Sequence, residues 1–139
     1  MEYVDGVAAA GCYAAVGFVL LGLGFLLVDL LTPGRLGKQI WEEKNVNASI
    51  VLSSGLLGTG IVITTAVLTS EGNLADGLVS TAVYGLIGLA LMGISFLLMD
   101  LATPGKLGET LTEPTVHPAA FVTGTVHVVI GMIMAACIS

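Results

Sequence analysis

His127 is the one ionisable residue deep inside a long apolar run of this chain, between Pro118 and Ile138. An ionisable group at such depth is a functional candidate, because lipid makes it expensive. Its imidazole could hand on a proton or ion, or it could stay neutral, bonded to a Ser, Thr or carbonyl of a neighbouring helix. Thr123, one turn earlier on the same face, would extend a polar stripe. Asp29 and Asp100 come next, each a carboxylate at the end of an apolar run. Each is followed by a turn sequence with a basic residue: Thr32, Pro33, Gly34 and Arg35 after the first, Thr103, Pro104, Gly105 and Lys106 after the second. These carboxylates could admit ions, dock a partner, or tie the helix end to the segment after the turn. The remaining chemistry is thin. His117 reads as an interface residue, and Cys12 and Cys137 lie apart in apolar stretches, so neither a disulfide framework nor a thiolate metal site is expected. H-E-x-x-H, G-x-S-x-G and P-loop patterns do not occur, so neither enzymatic activity nor a cofactor or metal is expected. A net charge of −6 with four basic residues gives no basis for nucleic-acid binding.

The elements that must carry these groups follow from composition. Of 139 residues, 55% are apolar and 10% charged, with mean hydropathy +1.00. The surface of a soluble domain needs roughly 25% charged residues, so the partner of this chain is the lipid bilayer. Four runs without Asp, Glu, Lys or Arg, at 7–28, 48–68, 77–99 and 118–138, each have 21 to 23 residues. A hydrocarbon core of about 30 Å takes about 20 helical residues, and only a helix satisfies the backbone of a lone span internally. The expected fold is all-α, four transmembrane helices in a single membrane domain, 1–139. Arg35, Lys38, Lys44 and Lys106 are all the basic residues, and they fall in links 29–47 and 100–117. Glu2, Asp5, Glu71 and Asp76 mark the other side. By the positive-inside rule both links are cytoplasmic and both termini outside. The first five residues lack the basic start of a signal peptide, so the first run is expected to remain as a span, and no lipidation pattern appears.

A shift of 71 residues lays the two halves on each other without a gap. From residue 5 to 38, 16 of 34 positions match, and the match peaks where Asp29-Leu30-Leu31-Thr32-Pro33-Gly34-Arg35-Leu36-Gly37 meets Asp100-Leu101-Ala102-Thr103-Pro104-Gly105-Lys106-Leu107-Gly108. Duplication is the economical explanation, giving internal repeats 5–68 and 76–139. An even number of spans per copy makes the repeats parallel, and a pseudo-twofold axis along the membrane normal is expected between them. His127 falls opposite Leu56, so it did not arrive with the duplication.

Within the repeated motif, Pro33 and Pro104 end their spans and Pro-Gly signals a turn. Leu36, Gly37, Ile40 and Trp41 suggest a short amphipathic segment at headgroup level, with Trp41 as anchor; Leu107 and Leu111 repeat the spacing. Asp29 and Asp100 sit in the last turn, where the helix dipole disfavours a carboxylate. Arg35 and Lys106 are the nearest candidate partners, and free backbone N–H groups of the turn the next. Nineteen glycines occur without a single G-x-x-x-G, but small-x-x-x-small pairs such as Ala120 with Gly124 and Gly131 with Ala135 permit close helix approach.

The duplicated D-L-x-T-P-G-[RK]-L-G, in four spans and two hairpins, resembles the YjfL-like bacterial inner-membrane family, also called domain of unknown function 350. The resemblance covers nearly the whole chain and rests on Asp29 to Gly37 and Asp100 to Gly108; His127 lies outside the motif. It implies a multi-pass protein of the bacterial inner membrane, in a family without an established biochemical activity. The expected function is a non-enzymatic, self-associating membrane scaffold, a homo-oligomer whose two basic links dock a cytoplasmic protein partner or organise lipid. The alternative is a small oligomeric ion or proton channel, with His127 inside and Asp29 and Asp100 at the inner mouth.

Overall fold

A computed structural model describes residues 2–70, 72–102 and 104–139, and every regular element among them is helical. The helices are α1 (Glu2–Leu31), α2 (Leu36–Trp41), α3 (Val46–Leu68), α4 (Leu74–Ala102), α5 (Leu107–Leu111) and α6 (Pro118–Ile138). Four of them, α1, α3, α4 and α6, are long and apolar enough to cross a membrane. The chain is an all-α protein with four spans.

Local chemistry sets the ends. α1 and α4 stop at Leu31 and Ala102, two residues short of Pro33 and Pro104, as the restriction on residues before proline requires. Gly34 and Gly105 then turn the chain with φ of 94° and 92°, a region where a side chain would be strained. Asn45 caps α3 by accepting from the Ala48 N–H at 3.0 Å. Asn73 and Asp76 form a reciprocal pair at the start of α4: Asn73 Oδ1 accepts from the Asp76 N–H at 3.0 Å, and Asn73 Nδ2 donates to Asp76 Oδ2 at 2.8 Å. His117 caps α6 by accepting from the Ala119 N–H, with Pro118 opening the helix. With 30 and 29 residues, α1 and α4 run past their apolar cores and keep Asp29 and Asp100 inside the last turn.

The packing departs from the expected pseudo-twofold. α3 packs on α1, α4 and α6, and α4 packs on α1, α3 and α6, but α1 and α6 form no packed interface. A twofold relating α1/α3 to α4/α6 would pair every α3–α4 contact with an α6–α1 contact. The first hairpin meets the second through Leu20, Leu27, Pro33 and Val62, whereas the second presents Gly85, Gly93, Gly108 and Gly88 to them, so the hairpins meet through non-equivalent faces. Glycines explain why: the backbones of α3 and α6 meet where a Cβ on Gly131 would lie 2.6 Å from Gly58 Cα. Gly93 lies against Leu27, and Gly88 against Val62. Between membrane helices such close approach supplies the dispersion contacts that hold them together.

A buried apolar cluster sits toward the basic end of the bundle, where Val28, Val51, Leu52 and Phe96 meet Leu36, Leu107 and Leu111. The last three are fully buried. The two short helices are therefore folded into the bundle, and Trp41, 69% exposed, is the large apolar side chain they leave outside.

Candidate functional site at the basic edge

Asp29 and Asp100 make the same contact. Asp29 Oδ1 accepts the Leu36 N–H at 2.6 Å, and Asp100 Oδ1 accepts the Leu107 N–H at 2.6 Å. Leu36 and Leu107 are the first residues of α2 and α5, whose N-cap positions, Arg35 and Lys106, provide no side-chain cap. Each carboxylate thus caps the short helix that follows its own span, satisfying one of the amides a helix start leaves without a partner. Ion pairing with Arg35 and Lys106, the first expected partners, is corrected by this geometry. Among the described residues the ion pairs are Lys38 with Glu43 and Lys106 with Glu109, both exposed. The reason is directional: past the Pro-Gly turn the free N–H groups of α2 and α5 face back at the carboxylate, and a charge-assisted bond to a fixed amide needs no ordering of a long side chain. Thr32 is buried, with its N–H on the Val28 carbonyl at 3.0 Å. Pro33 offers its carbonyl to Gln39 Nε2 at 2.6 Å, closing the turn. Gly34, Arg35, Pro104, Gly105 and Lys106 are exposed, and Thr103 lies outside the described residues.

Two asparagines join the two links. Asn45 Nδ2 donates to the Leu111 carbonyl at 3.1 Å, and Asn47 Nδ2 donates to Glu113 and Thr115 carbonyls at 3.2 and 2.8 Å. Asn47 Oδ1 accepts the His117 N–H at 2.8 Å, so both ends of its amide are engaged. Asn45 is 4% and Asn47 1% exposed. They fix the link before α6 to the start of α3. Both lie outside the candidate residues named from the sequence. Asn45 had a visible signal, an Asn just before an apolar run, which is a helix-cap signature. Asn47 had none, because its partners lie 66 to 70 residues away.

His127 stands apart from this edge. It is 3% exposed and lies in the α3–α6 interface, with Nδ1 3.4 Å from Ser54 Oγ and beside Gly55. With Thr59, Met92 and Phe96 it lines a small cavity of about 10 Å³ where all four spans converge, roughly the room of one water. Thr123 is also buried, its hydroxyl without a hydrogen-bond partner among the described residues. The three candidate groups are not assembled into one site: the carboxylates are turned toward α2 and α5, while the imidazole packs against α3. Cys12 and Cys137 are both exposed and free.

The duplicated turn, the pair of carboxylate-capped short helices and four spans extend over almost the whole chain, and so does a family match. Residues 2–138 match the family described as Domain of Unknown Function (DUF350). The chain belongs to the DUF350 family. DUF350 relatives include a UPF0719 transmembrane protein of Mycolicibacterium paratuberculosis, 39% identical over 98% of this chain and 90% of the relative. UPF0719 transmembrane proteins of Mycobacterium bovis and Mycobacterium tuberculosis are each 36% identical, with the same coverage. No solved structure matches this DUF350 chain.

Proposed function

We propose that this DUF350 chain is a non-enzymatic, self-associating scaffold of the bacterial inner membrane. In this reading both termini face out, and the edge built from 29–47 and 100–117 faces the cytoplasm, where it docks a protein partner. The observation that carries it is how the two carboxylates are used. Each holds the first amide of a short helix at 2.6 Å, so the costliest polar groups near the spans serve to position one edge. That edge presents Trp41, Arg35, Lys38 and Lys106 to its surroundings, all exposed. The confinement of every Lys and Arg to these links supports the orientation, and the matched bonds of Asp29 and Asp100 support descent from a duplicated hairpin.

The competing channel reading draws on His127, placed where all four spans converge. Ion and proton flux into liposomes separates the two. The scaffold leaves the parent, His127→Leu and the Asp29→Asn, Asp100→Asn double variant all at the level of protein-free vesicles. Flux in the parent that disappears in His127→Leu, with that variant folded and inserted, would replace the scaffold by the channel.

A further inference from the structure

Four glycines of the second hairpin lie against the first: Gly77 against Tyr13, Gly93 against Leu27, Gly108 against Pro33 and Gly131 against Gly58. Their counterparts 71 residues earlier are Gly6, Gly22, Gly37 and Gly60, and none has anything within 4 Å of where a Cβ would stand. All four of these open glycines lie in helices, where glycine costs roughly 0.5–1 kcal/mol relative to alanine. No contact among the described residues requires them to be small. In a membrane a helical glycine is useful where another helix must come close.

The same correspondence extends to whole faces. Gly85, Gly88 and Gly124, which seat α4 and α6 on the first hairpin, correspond to Ala14, Gly17 and Ser53. Those three, with Leu21, Gly60 and Thr64, line an open groove along α1 and α3. Leu20, Leu27, Pro33 and Val62 receive the second hairpin. They correspond to Leu91, Leu98, Pro104 and Ile133, all exposed. One flank of the bundle thus carries a copy of the docking face and the other a copy of the receiving face. Because the hairpins meet through non-equivalent faces, the interface inside the chain is continuous with both flanks.

We propose that the α1/α3 groove is occupied by a second copy of this chain, which presents its Leu91, Leu98, Pro104 and Ile133 flank, so that hairpin-on-hairpin packing continues from copy to copy. The α6–α1 contact missing within the protomer is then made between protomers. Such a contact is head-to-tail, closing into a ring or running on as an array. It is looser at one point than its model inside the chain, because Gly58 has Val129 as counterpart. The inference rests on the self-associating reading above and gives it a geometry.

The test uses full chains carrying Cys12→Ala and Cys137→Ala, one also with Gly37→Cys and the other with Pro104→Cys, under different tags. Co-expressed and treated in membranes with a short bis-maleimide, they are expected to give a dimer bearing both tags, with little dimer when either is expressed alone. Gly37→Cys joined only to itself would overturn the head-to-tail geometry and leave self-association standing. No crosslinks, with single copies released from lipid nanodiscs in native mass spectrometry, would overturn both and leave lipid in the groove. A second variant avoids the turn at Pro104: Gly22→Phe projects into open space, so it is expected to keep parental helicity and thermal stability while reducing the assembly to single copies. An intact assembly of Gly22→Phe would overturn the proposal.

Discussion

Gly131→Ala is expected to destabilise the bundle by about 1–3 kcal/mol, the range for forcing extra methylenes into a filled site, while Gly60→Ala is expected to be neutral or slightly stabilising. The contrast comes from what each new methyl would meet. At Gly131 it would lie 2.6 Å from both the Cα and the carbonyl oxygen of Gly58. Those are backbone atoms, so no side chain can swing aside, and α3 and α6 must separate along their contact. The effect then spreads, because Gly58 itself lies against the His127 carbonyl and Met92. At Gly60 the methyl meets nothing within 4 Å and relieves the helix of a flexible residue. Detergent-solubilised single copies, unfolded by titration with a denaturing detergent and followed by circular dichroism, give both midpoints. Equal midpoints would show that the α3–α6 approach is not what holds the bundle.

Asn47→Ala is expected to release the link before α6. It leaves the Thr115 carbonyl and the His117 N–H without their partner, and the Glu113 carbonyl with only the 3.4 Å bond from Asn45 Nδ2, at a position 1% exposed. Each buried polar group left unpaired costs about 1–3 kcal/mol, and water reaching the opened link recovers part of it. Asn47→Asp should fail too, since it keeps the acceptor for His117 but loses both donated bonds. Hydrogen exchange across 112–118 reads the outcome: the His117 amide should be protected in the parent and exchange much faster in Asn47→Ala, with a smaller loss in Asn47→Asp. Unchanged protection there would mean that the link is held by something other than Asn47.

Much of this fold was legible in the sequence because its signals are local. Charge-free runs of spanning length, Pro33 and Pro104 as stops, Gly34 and Gly105 as turns, and Leu36 and Leu107 as starts of edge helices depend on neighbours a few residues away. The partner of Asp29 was less legible, since choosing between Arg35 and the Leu36 amide requires the direction in which the turn sends the chain. The relation between the hairpins was not legible at all. Two parallel hairpins can face each other across a twofold or meet through non-equivalent faces, with identical internal matches in either case. The choice lies in Gly58 meeting Gly131 and Gly88 meeting Val62, contacts between residues far apart in sequence. His127 was conspicuous because lipid makes an imidazole costly, but its depth said nothing of Ser54 as its neighbour.

The scaffold is tested most directly by photo-crosslinking in living cells from the exposed edge, with a photoreactive residue in place of Trp41 or Lys106. It is compared in the parent and in the Asp29→Ala, Asp100→Ala double variant, where losing each cap costs about 0.5–2 kcal/mol. The scaffold predicts discrete protein adducts from both positions in the parent, and their loss in the double variant at equal amounts of inserted protein. Adducts to lipid alone in the parent, or protein adducts that persist without either carboxylate, would contradict it.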